Sequence, residues 1–222
     1  LNTKKYNGTI IHIKNEKWTA IINGKHIPIN KNNFTIELNS STLRFDYVFM
    51  ALHGPPAENG DLQPYFDNLN LKYSSCNSKV SALTFNKLEC NQKLSQLDFR
   101  CANSLHIKKG DKIEIKKINE TIGLPCFIKP NQAGSSFGVS KVYTEDKIEG
   151  AVQNALLHDN IVLIEQFIDG IEVSCGVGII DDNITSFPIT EIVSQNDFFD
   201  FDAKYNGLSE EITPARISEN NK

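Results

Sequence analysis

The sequence contains one stretch, Gly123-Leu-Pro-Cys-Phe-Ile-Lys-Pro-Asn-Gln-Ala-Gly-Ser-Ser-Phe-Gly-Val-Ser-Lys-Val142, that predicts the central element of the fold. Its apolar residues 124–128 predict a short buried strand that ends at Lys129-Pro130. Residues 139–143 predict a second strand, and the loop 133–138 between the two is small and rich in glycine and serine. The stretch therefore predicts a β-hairpin whose tip is rich in backbone N–H groups.

The tip of this hairpin has the composition of a loop that covers phosphate. Gly134 and Gly138 let backbone amides turn toward a ligand without a Cβ in the way, and successive amides can form a concave anion site. The Lys129 ammonium adds a charge suited to phosphate. It is not a P-loop, because the Gly-Lys-Ser/Thr ending is absent and a strand, not a helix, follows the loop. On its own, the loop is equally compatible with an ordinary Gly-Ser turn.

Composition narrows the class of protein. The chain has 222 residues, 40% of them hydrophobic and 23% charged, which is typical of one large or two small globular domains. The net charge is −4 with no basic block, so we expect no nucleic-acid partner. No apolar run is long enough to span a membrane, and no signal peptide is visible. Five scattered cysteines without C-x-x-C spacing favour unpaired, mostly buried thiols in a reducing cytoplasm.

The first part of the chain predicts an α/β module. The nearly continuous apolar run 44–52 is typical of a central parallel strand, and it ends at a polar turn, 53–60. Ligands of open α/β sheets bind beyond the carboxyl ends of strands, which places His53 and Glu58 where a site is expected. From spacing alone, a solvated polar turn is the better interpretation of these two residues.

The rest of the chain predicts an α+β module. Residues 80–97 have the period of one helix with Lys87 near its middle, and 144–158 predict an amphipathic helix capped by Thr144. Residues 161–168 predict a buried strand that carries the acidic Glu165. Later strands and a long loop of aromatic and acidic residues follow; such loops are often functional. We expect three domains, with residues 1–77 as a substrate-binding α/β domain, 78–168 with the glycine-rich lid, and 169–222 with the aromatic loop.

Taken together and in order, these stretches resemble the D-alanine–D-alanine ligases of the ATP-grasp fold. The resemblance covers nearly the whole chain, so it is more specific than any one motif. It rests on the turn from His53-Gly54 to Gln63, the helical stretch Phe85-Asn86-Lys87, the strand and loop Phe127–Pro130 and Gly134–Val139, the hinge residues Glu165, Gly170 and Glu172, and the ω-loop Phe198–Tyr205 with Pro214-Ala215.

The resemblance implies an ATP-dependent ligase that joins two D-alanines for peptidoglycan synthesis, acting in the cytoplasm as a homodimer and using Mg²⁺. It also implies roles for single residues. The nucleotide would be bound by Lys87, Lys129, Ser135, Ser136, Phe137, Glu165, Gln166, Phe167, Ile168 and Glu172. His53 and Glu58 would lie near the first D-alanine, and Ser135, Lys204 and Tyr205 would complete the catalytic centre.

Three departures from the family pattern set limits on this implication. Ala57 and Asn59 replace Gly and Asp in the turn, and Asn86 replaces an Asp. The family's N-terminal glycine-rich segment, with the Glu that binds the first D-alanine, has no counterpart here. The C-terminal segment with a catalytic Arg and the magnesium ligands is also absent, and none of Arg44, Arg100 and Arg216 matches that Arg. We therefore expect a fragment of a longer enzyme, inactive alone, whose magnesium ligands lie beyond residue 222.

Two other functions stay open at this point. A ligase of the same fold could use D-lactate or D-serine as its second substrate, although Tyr205 after Lys204 resembles the dipeptide-forming members. Alternatively, the chain could be a non-catalytic nucleotide-binding remnant, which the substitutions at Ala57, Asn59 and Asn86 favour.

Overall fold

The structure is a computed structural model, and it describes residues 2–39, 41–194, 197–198, 207 and 209–218. Contacts divide the chain into two compact units, Leu1–Ala82 and Leu83–Lys222, each with its own core. A third domain beginning at residue 169 stays a prediction. Within the described ranges, no helix has the length and apolarity needed to cross a bilayer.

The first unit is built from short sheets around an aromatic core. Its elements are β1 Ile10–Lys14, β2 Lys17–Ile22, β3 Lys25–Pro28, β4 Ile36–Leu38, β5 Ser41–Leu43, β6 Tyr47–Val48, α1 Gln63–Asn68 and β7 Lys72–Tyr73. β1, β2 and β3 form an antiparallel meander. The turn between β2 and β3 has positive φ at both Asn23 and Gly24, as the Asn-Gly pair requires. Phe34 and Phe66 centre the core, with their rings 5.1 Å apart.

The expected central strand over 44–52 is largely wrong. Only Tyr47 and Val48 form a strand, although they do pair in parallel, with β7. Tyr47 and Phe49 are 53% and 77% exposed. A strand covered on both faces would bury such residues, so the apolar run here belongs to a sparsely covered edge of the unit.

The single helix expected over 80–97 is two helices, α2 Ser78–Phe85 and α3 Lys87–Ser95. Asn86 separates them because its backbone is extended, with φ −87° and ψ 96°, and its side chain accepts a hydrogen bond from the Glu89 amide. This is the geometry of an N-cap. Lys87 is therefore the first residue of α3 and does not lie near the middle of a helix.

The second unit is centred on a four-stranded antiparallel sheet in the order β10-β9-β11-β8. Its strands and helices are β8 Ser104–Lys108, α4 Ile115–Thr121, β9 Cys126–Pro130, β10 Ser140–Val142, a 3-10 turn Glu145–Lys147, α5 Ile148–Ala155 and β11 Ile161–Gln166. The predicted hairpin is confirmed, since Ser140 pairs with Ile128 and Val142 with Cys126. Thr144 occupies the N-cap position of the 3-10 turn that leads into α5, as predicted, but its hydroxyl donates to the Asp146 carboxylate and makes no capping hydrogen bond.

The core of this unit lies on one face of the sheet. Ile128, Val162 and Ile164 are fully buried there against α5, which presents Ile148 and Val152. These strand residues share one face because successive side chains of a strand point to opposite sides of the sheet. The opposite face carries the polar side chains of these strands together with the fully buried Leu163.

The last described strands are shorter than expected. Residues 172–180 form two strands in place of one, and the elements are β12 Val173–Ser174, β13 Val177–Ile180, β14 Asn183–Ser186, β15 Thr190–Ser194 and β16 Ser209–Ile212. All five cysteines are unpaired, as expected, but only Cys126 is buried.

Glu191 on β15 is buried, and the Arg216 guanidinium binds its two oxygens at 2.9 and 2.7 Å.

This pair predicts a specific acid sensitivity. Hydrogen bonds from the Arg216 side chain and amide lower the pKa of Glu191 from 4.5 to about 2. A folded-state pKa below the unfolded one contributes stability above pH 4.5 that is lost as the pH falls toward about 2. We expect Glu191→Gln to reduce this acid-dependent loss in urea titrations across that range. Glu211→Gln, at an exposed position on β16, is the control; an unchanged pH profile in Glu191→Gln would contradict the prediction.

Candidate nucleotide-binding site

The site lies on the polar face of the central sheet of the second unit. Phe127 and Lys129 alternate with the buried Ile128 on β9, so they point away from the core. Glu165 pairs directly with Phe127 across the antiparallel strands and therefore shares that face. An apolar ring, an ammonium group and a carboxylate are thus grouped on two neighbouring strands.

The Lys129 ammonium and the Glu165 carboxylate form an ion pair. The side chains are only 23% and 10% exposed, so both charges are largely removed from water. Asn91 on α3 donates a second hydrogen bond to Glu165, at 3.1 Å. The carboxylate is therefore fixed by two partners, and Lys129 is held on the sheet face by its counter-ion.

Lys87 is held at the entrance to the glycine-rich loop by a buried asparagine. Its Nζ donates to the carbonyls of Asn131 and Ala133 at 3.2 and 2.8 Å. Asn131 has no exposed surface, and its side chain donates to Asn86 at 2.9 Å and accepts from the Leu88 amide at 2.8 Å. The start of α3 is thereby fixed to the end of β9, so the two lysines of the site belong to connected elements.

The loop 133–138 has the backbone geometry of a tight, left-handed turn. Positive φ values of 52°, 58° and 69° occur at Ser135, Ser136 and Gly138. The Phe137 amide donates to the Gly134 carbonyl at 3.1 Å. Successive residues in such conformations orient their amides toward one side, which suits an anion.

A lysine on the strand after the loop was not predicted as part of the site. Lys141 pairs with Phe127 across β10 and β9, and its ammonium lies 4.2 Å from the centre of the Phe167 ring. It also binds the Asp197 carboxylate at 2.9 Å, and Tyr143 donates to the same carboxylate. Hydrogen bonds from Tyr143 and then from Lys141 lower the pKa of Asp197. The second strand of the hairpin is thus fixed to the segment that precedes Lys204.

The predicted adenine and ribose residues follow β11. Gln166 ends the strand and its amide donates to the Asn103 carbonyl at 2.9 Å, while Phe167 is half-buried and Ile168 is 64% exposed. Glu172 is exposed. Lys204 and Tyr205 lie outside the described residues.

In the first unit, His53 and Glu58 are brought together by the turn 53–60. Glu58 accepts a hydrogen bond from the Gly54 amide at 2.7 Å, and its other oxygen lies 3.7 Å from His53 Nδ1. The buried Gln63 side chain supports the turn, because its Nε2 donates to the Ala57 carbonyl at 2.7 Å. Both side chains are accessible, at 77% and 42%, as expected of a solvated polar turn.

Sequence reasoning missed Asn91, Asn131, Lys141 and Asp197. Asn91 could have been found, because it lies four residues after Lys87 and shares its helix face. Asn131 gave no signal, since an Asn after a strand is usually a surface turn residue. Within the described ranges, no cluster of three or more His, Cys, Asp or Glu side chains could hold a metal ion.

Comparison with known proteins identifies relatives of this arrangement. A profile described as the D-ala D-ala ligase C-terminus matches residues 88–222. The chain is 46% identical to a D-alanine–D-alanine ligase from Phocaeicola vulgatus and 49% identical to one from Flavobacterium johnsoniae, in each case over 99% of this chain and 68% of the relative.

Solved structures agree with these sequence matches. D-alanyl-alanine synthetase A from Vibrio cholerae matches with a TM-score of 0.82 and 25% identity, over 99% of this chain and 68% of that one. The VanG D-Ala:D-Ser ligase from Enterococcus faecalis matches with a TM-score of 0.80 and 28% identity, over 99% and 70%.

The lysine-bearing sheet face, the glycine-rich hairpin that follows it and these structural neighbours define the class as an ATP-grasp fold. Within that class, the chain belongs to the D-alanine–D-alanine ligase family, as its profile match and its curated relatives show. It spans about two thirds of the length of those relatives.

Proposed function

We propose that this chain is part of an ATP-dependent ligase that joins two D-alanines into D-alanyl-D-alanine for peptidoglycan precursor synthesis in the cytoplasm. One observation carries the proposal. Lys87 and Lys129 lie beside a glycine-rich hairpin whose tip has anion-binding geometry, in a chain 46–49% identical to ligases of that name.

The proposed reaction proceeds in two steps. A carboxylate oxygen of the first D-alanine attacks the γ-phosphorus of ATP, the bond to the bridging oxygen breaks, and ADP leaves. The amine of the second D-alanine then attacks the carbonyl of the acyl phosphate, loses a proton and expels inorganic phosphate. No protein nucleophile is required. An acyl phosphate hydrolyses in water, so the enzyme needs a loop that excludes solvent.

Residues of the second unit would bind the nucleotide. Lys87, Lys129 and the amides of residues 135–137 would offset the charge of the transferring phosphoryl group. Glu165 would contact the adenine together with residues 166–168. Because the Gln166 amide is already bonded to Asn103, the base would be expected to find its partners at Phe167 and Ile168. Glu172 is exposed and could reach the ribose hydroxyls.

The remaining roles concern the acceptor side. His53 and Glu58 form an accessible polar turn suited to the first D-alanine. Ser135 would join Tyr205 in a hydrogen-bonded link that closes the ω-loop, with Lys204 at the γ-phosphate. A homodimer is part of the proposal. Mg²⁺ would enter with ATP and neutralise phosphate charge. The described residues offer no cluster of His, Cys, Asp or Glu side chains that could hold the ion.

A second candidate function differs only in the acceptor. The likeness to a D-Ala:D-Ser ligase at a TM-score of 0.80 supports a D-serine-using enzyme, with D-lactate as a further possible acceptor. The sequence relatives named D-alanine–D-alanine ligase support the dipeptide. The substitutions at Ala57, Asn59 and Asn86 gave weight to a non-catalytic remnant, but Asn86 has a clear structural use as the cap of α3.

Phosphate release from ATP by the complete protein tests the proposal. We expect release to depend on D-alanine and D-alanyl-D-alanine to accumulate, as identified by mass spectrometry. Mixed products that appear only when D-serine or D-lactate is added would support the second candidate. Nucleotide binding without phosphate release, with all three acceptors present, would overturn the proposed ligase activity and support a non-catalytic nucleotide-binding remnant.

A further inference from the structure

We propose that the corner formed by His158 and Asp159 positions the glycine-rich loop 133–138 for phosphate binding. The corner follows α5, on which no site residue was predicted. The inference rests on the proposed function, because it assigns the corner a role in holding the loop that covers the phosphates of ATP.

His158 contacts the end of the loop. A Cβ built on Gly138 would lie 2.5 Å from His158 Cδ2, which shows that the imidazole lies directly against this backbone. The same ring stacks on Phe137, with centroids 6.3 Å apart and planes 30° apart. Gly138 has φ +69°, so both its conformation and the close ring require glycine. The imidazole therefore supports the loop where it rejoins β10.

Asp159 contacts the segment that leads into the loop. One carboxylate oxygen accepts a hydrogen bond from the Gln132 amide at 2.6 Å. The other accepts from the Asn160 amide, also at 2.6 Å, which fixes the side chain in place. Hydrogen bonds from backbone amides to a carboxylate are among the stronger ones in proteins. The two residues of the corner thus hold the loop on both sides, at positions 132 and 138.

The corner can act as a support because it is itself anchored to the core. The amides of His158 and Asp159 donate to the Ala155 carbonyl at 3.0 and 3.3 Å, and Ala155 is fully buried. A loop held at both stems loses less conformational freedom when it closes on a ligand. Binding of the β- and γ-phosphates should therefore depend on His158, although no phosphate contact is assigned to its ring.

The test compares binding of a non-hydrolysable ATP analogue with binding of adenosine, by calorimetry on the complete protein. His158→Ala should weaken binding of the analogue by about fivefold, which is the scale of one lost aromatic contact, and leave binding of adenosine unchanged. His158→Phe keeps a ring against the loop and should restore binding. Leu157→Ala is the matched control, because this neighbour is 81% exposed and outside the described contacts with the loop.

Three results would be decisive. An equal loss of affinity for the analogue and for adenosine in His158→Ala would overturn the inference, since a general loss of structure weakens both. Wild-type affinity for the analogue in His158→Ala would also overturn it, while leaving the proposed function intact. Failure of the unaltered protein to bind the analogue would instead overturn the proposed function. In steady-state assays, the inference requires KM for ATP to rise in His158→Ala and to recover in His158→Phe.

Discussion

Replacing Lys129 with alanine is expected to weaken ATP binding by about 2–3 kcal/mol, roughly a hundredfold, because a charge-assisted contact with phosphate is lost. The same change should lower the free energy of unfolding by about 3 kcal/mol. The reason is that Glu165, which is 8% exposed, would lose its ammonium partner in a position largely shielded from water. Calorimetry with ATP and urea denaturation followed by circular dichroism measure the two effects.

The two effects of Lys129→Ala can be separated. Glu165→Gln removes the buried charge, and Lys129→Met combined with Glu165→Gln removes both. We expect the double variant to recover much of the lost stability, because neither charge is left unpaired. Its ATP affinity should still fall well below that of Glu165→Gln alone, and this difference isolates the contribution of Lys129. Equal ATP affinities in these two variants would refute a phosphate role for Lys129.

Replacing Asn131 with alanine is expected to lower the free energy of unfolding by about 2–3 kcal/mol. Asn131 is fully buried and its side chain bonds both the Asn86 carboxamide and the Leu88 backbone amide, so its loss leaves two part-buried polar groups without that partner. The start of α3 should loosen, and Lys87 should lose its fixed position at the loop. ATP affinity is therefore expected to fall as well.

Urea denaturation and hydrogen exchange at the amides of α3 measure this effect. Asn154→Ala, at an exposed position on α5, is the matched control and should change stability by less than about 0.5 kcal/mol. A loss of stability in Asn131→Ala without faster exchange at Leu88 would contradict the assigned hydrogen bond. Unchanged stability would show that water replaces the carboxamide at no cost.

The hairpin could be predicted because its signals are local. An apolar run, a lysine, a glycine-rich tip and a second strand follow one another within 20 residues, and each signal requires the same structure. The break at Asn86 was missed because the apolar period continues across it, so helical periodicity alone favoured one helix. The break is marked by the N-cap geometry of Asn86, whose carboxamide also accepts a hydrogen bond from Asn131, 45 positions further along the chain.

The prediction of a central strand over 44–52 was wrong for a related reason. Apolar composition indicates burial only when other elements cover both faces, and here Tyr47 and Phe49 are exposed. His158 and Asp159 could not be predicted either, since a His-Asp pair at the end of a helix has no pattern that points to a loop 20 or more residues earlier. Their contacts with Gly138 and Gln132 arise only once β9, β10 and α5 have packed together.

The family resemblance, the hairpin and the charged residues that the proposal needs could be predicted from the chain, because they depend on residue types in a fixed local order. How those charges are held follows only from packing in the folded protein. Lys129 is paired with Glu165 across two strands, Lys87 is fixed by Asn131, and His158 and Asp159 contact the loop and its stem. Such pairings join residues far apart in the chain, and they follow from strand register and packing, which no local pattern records.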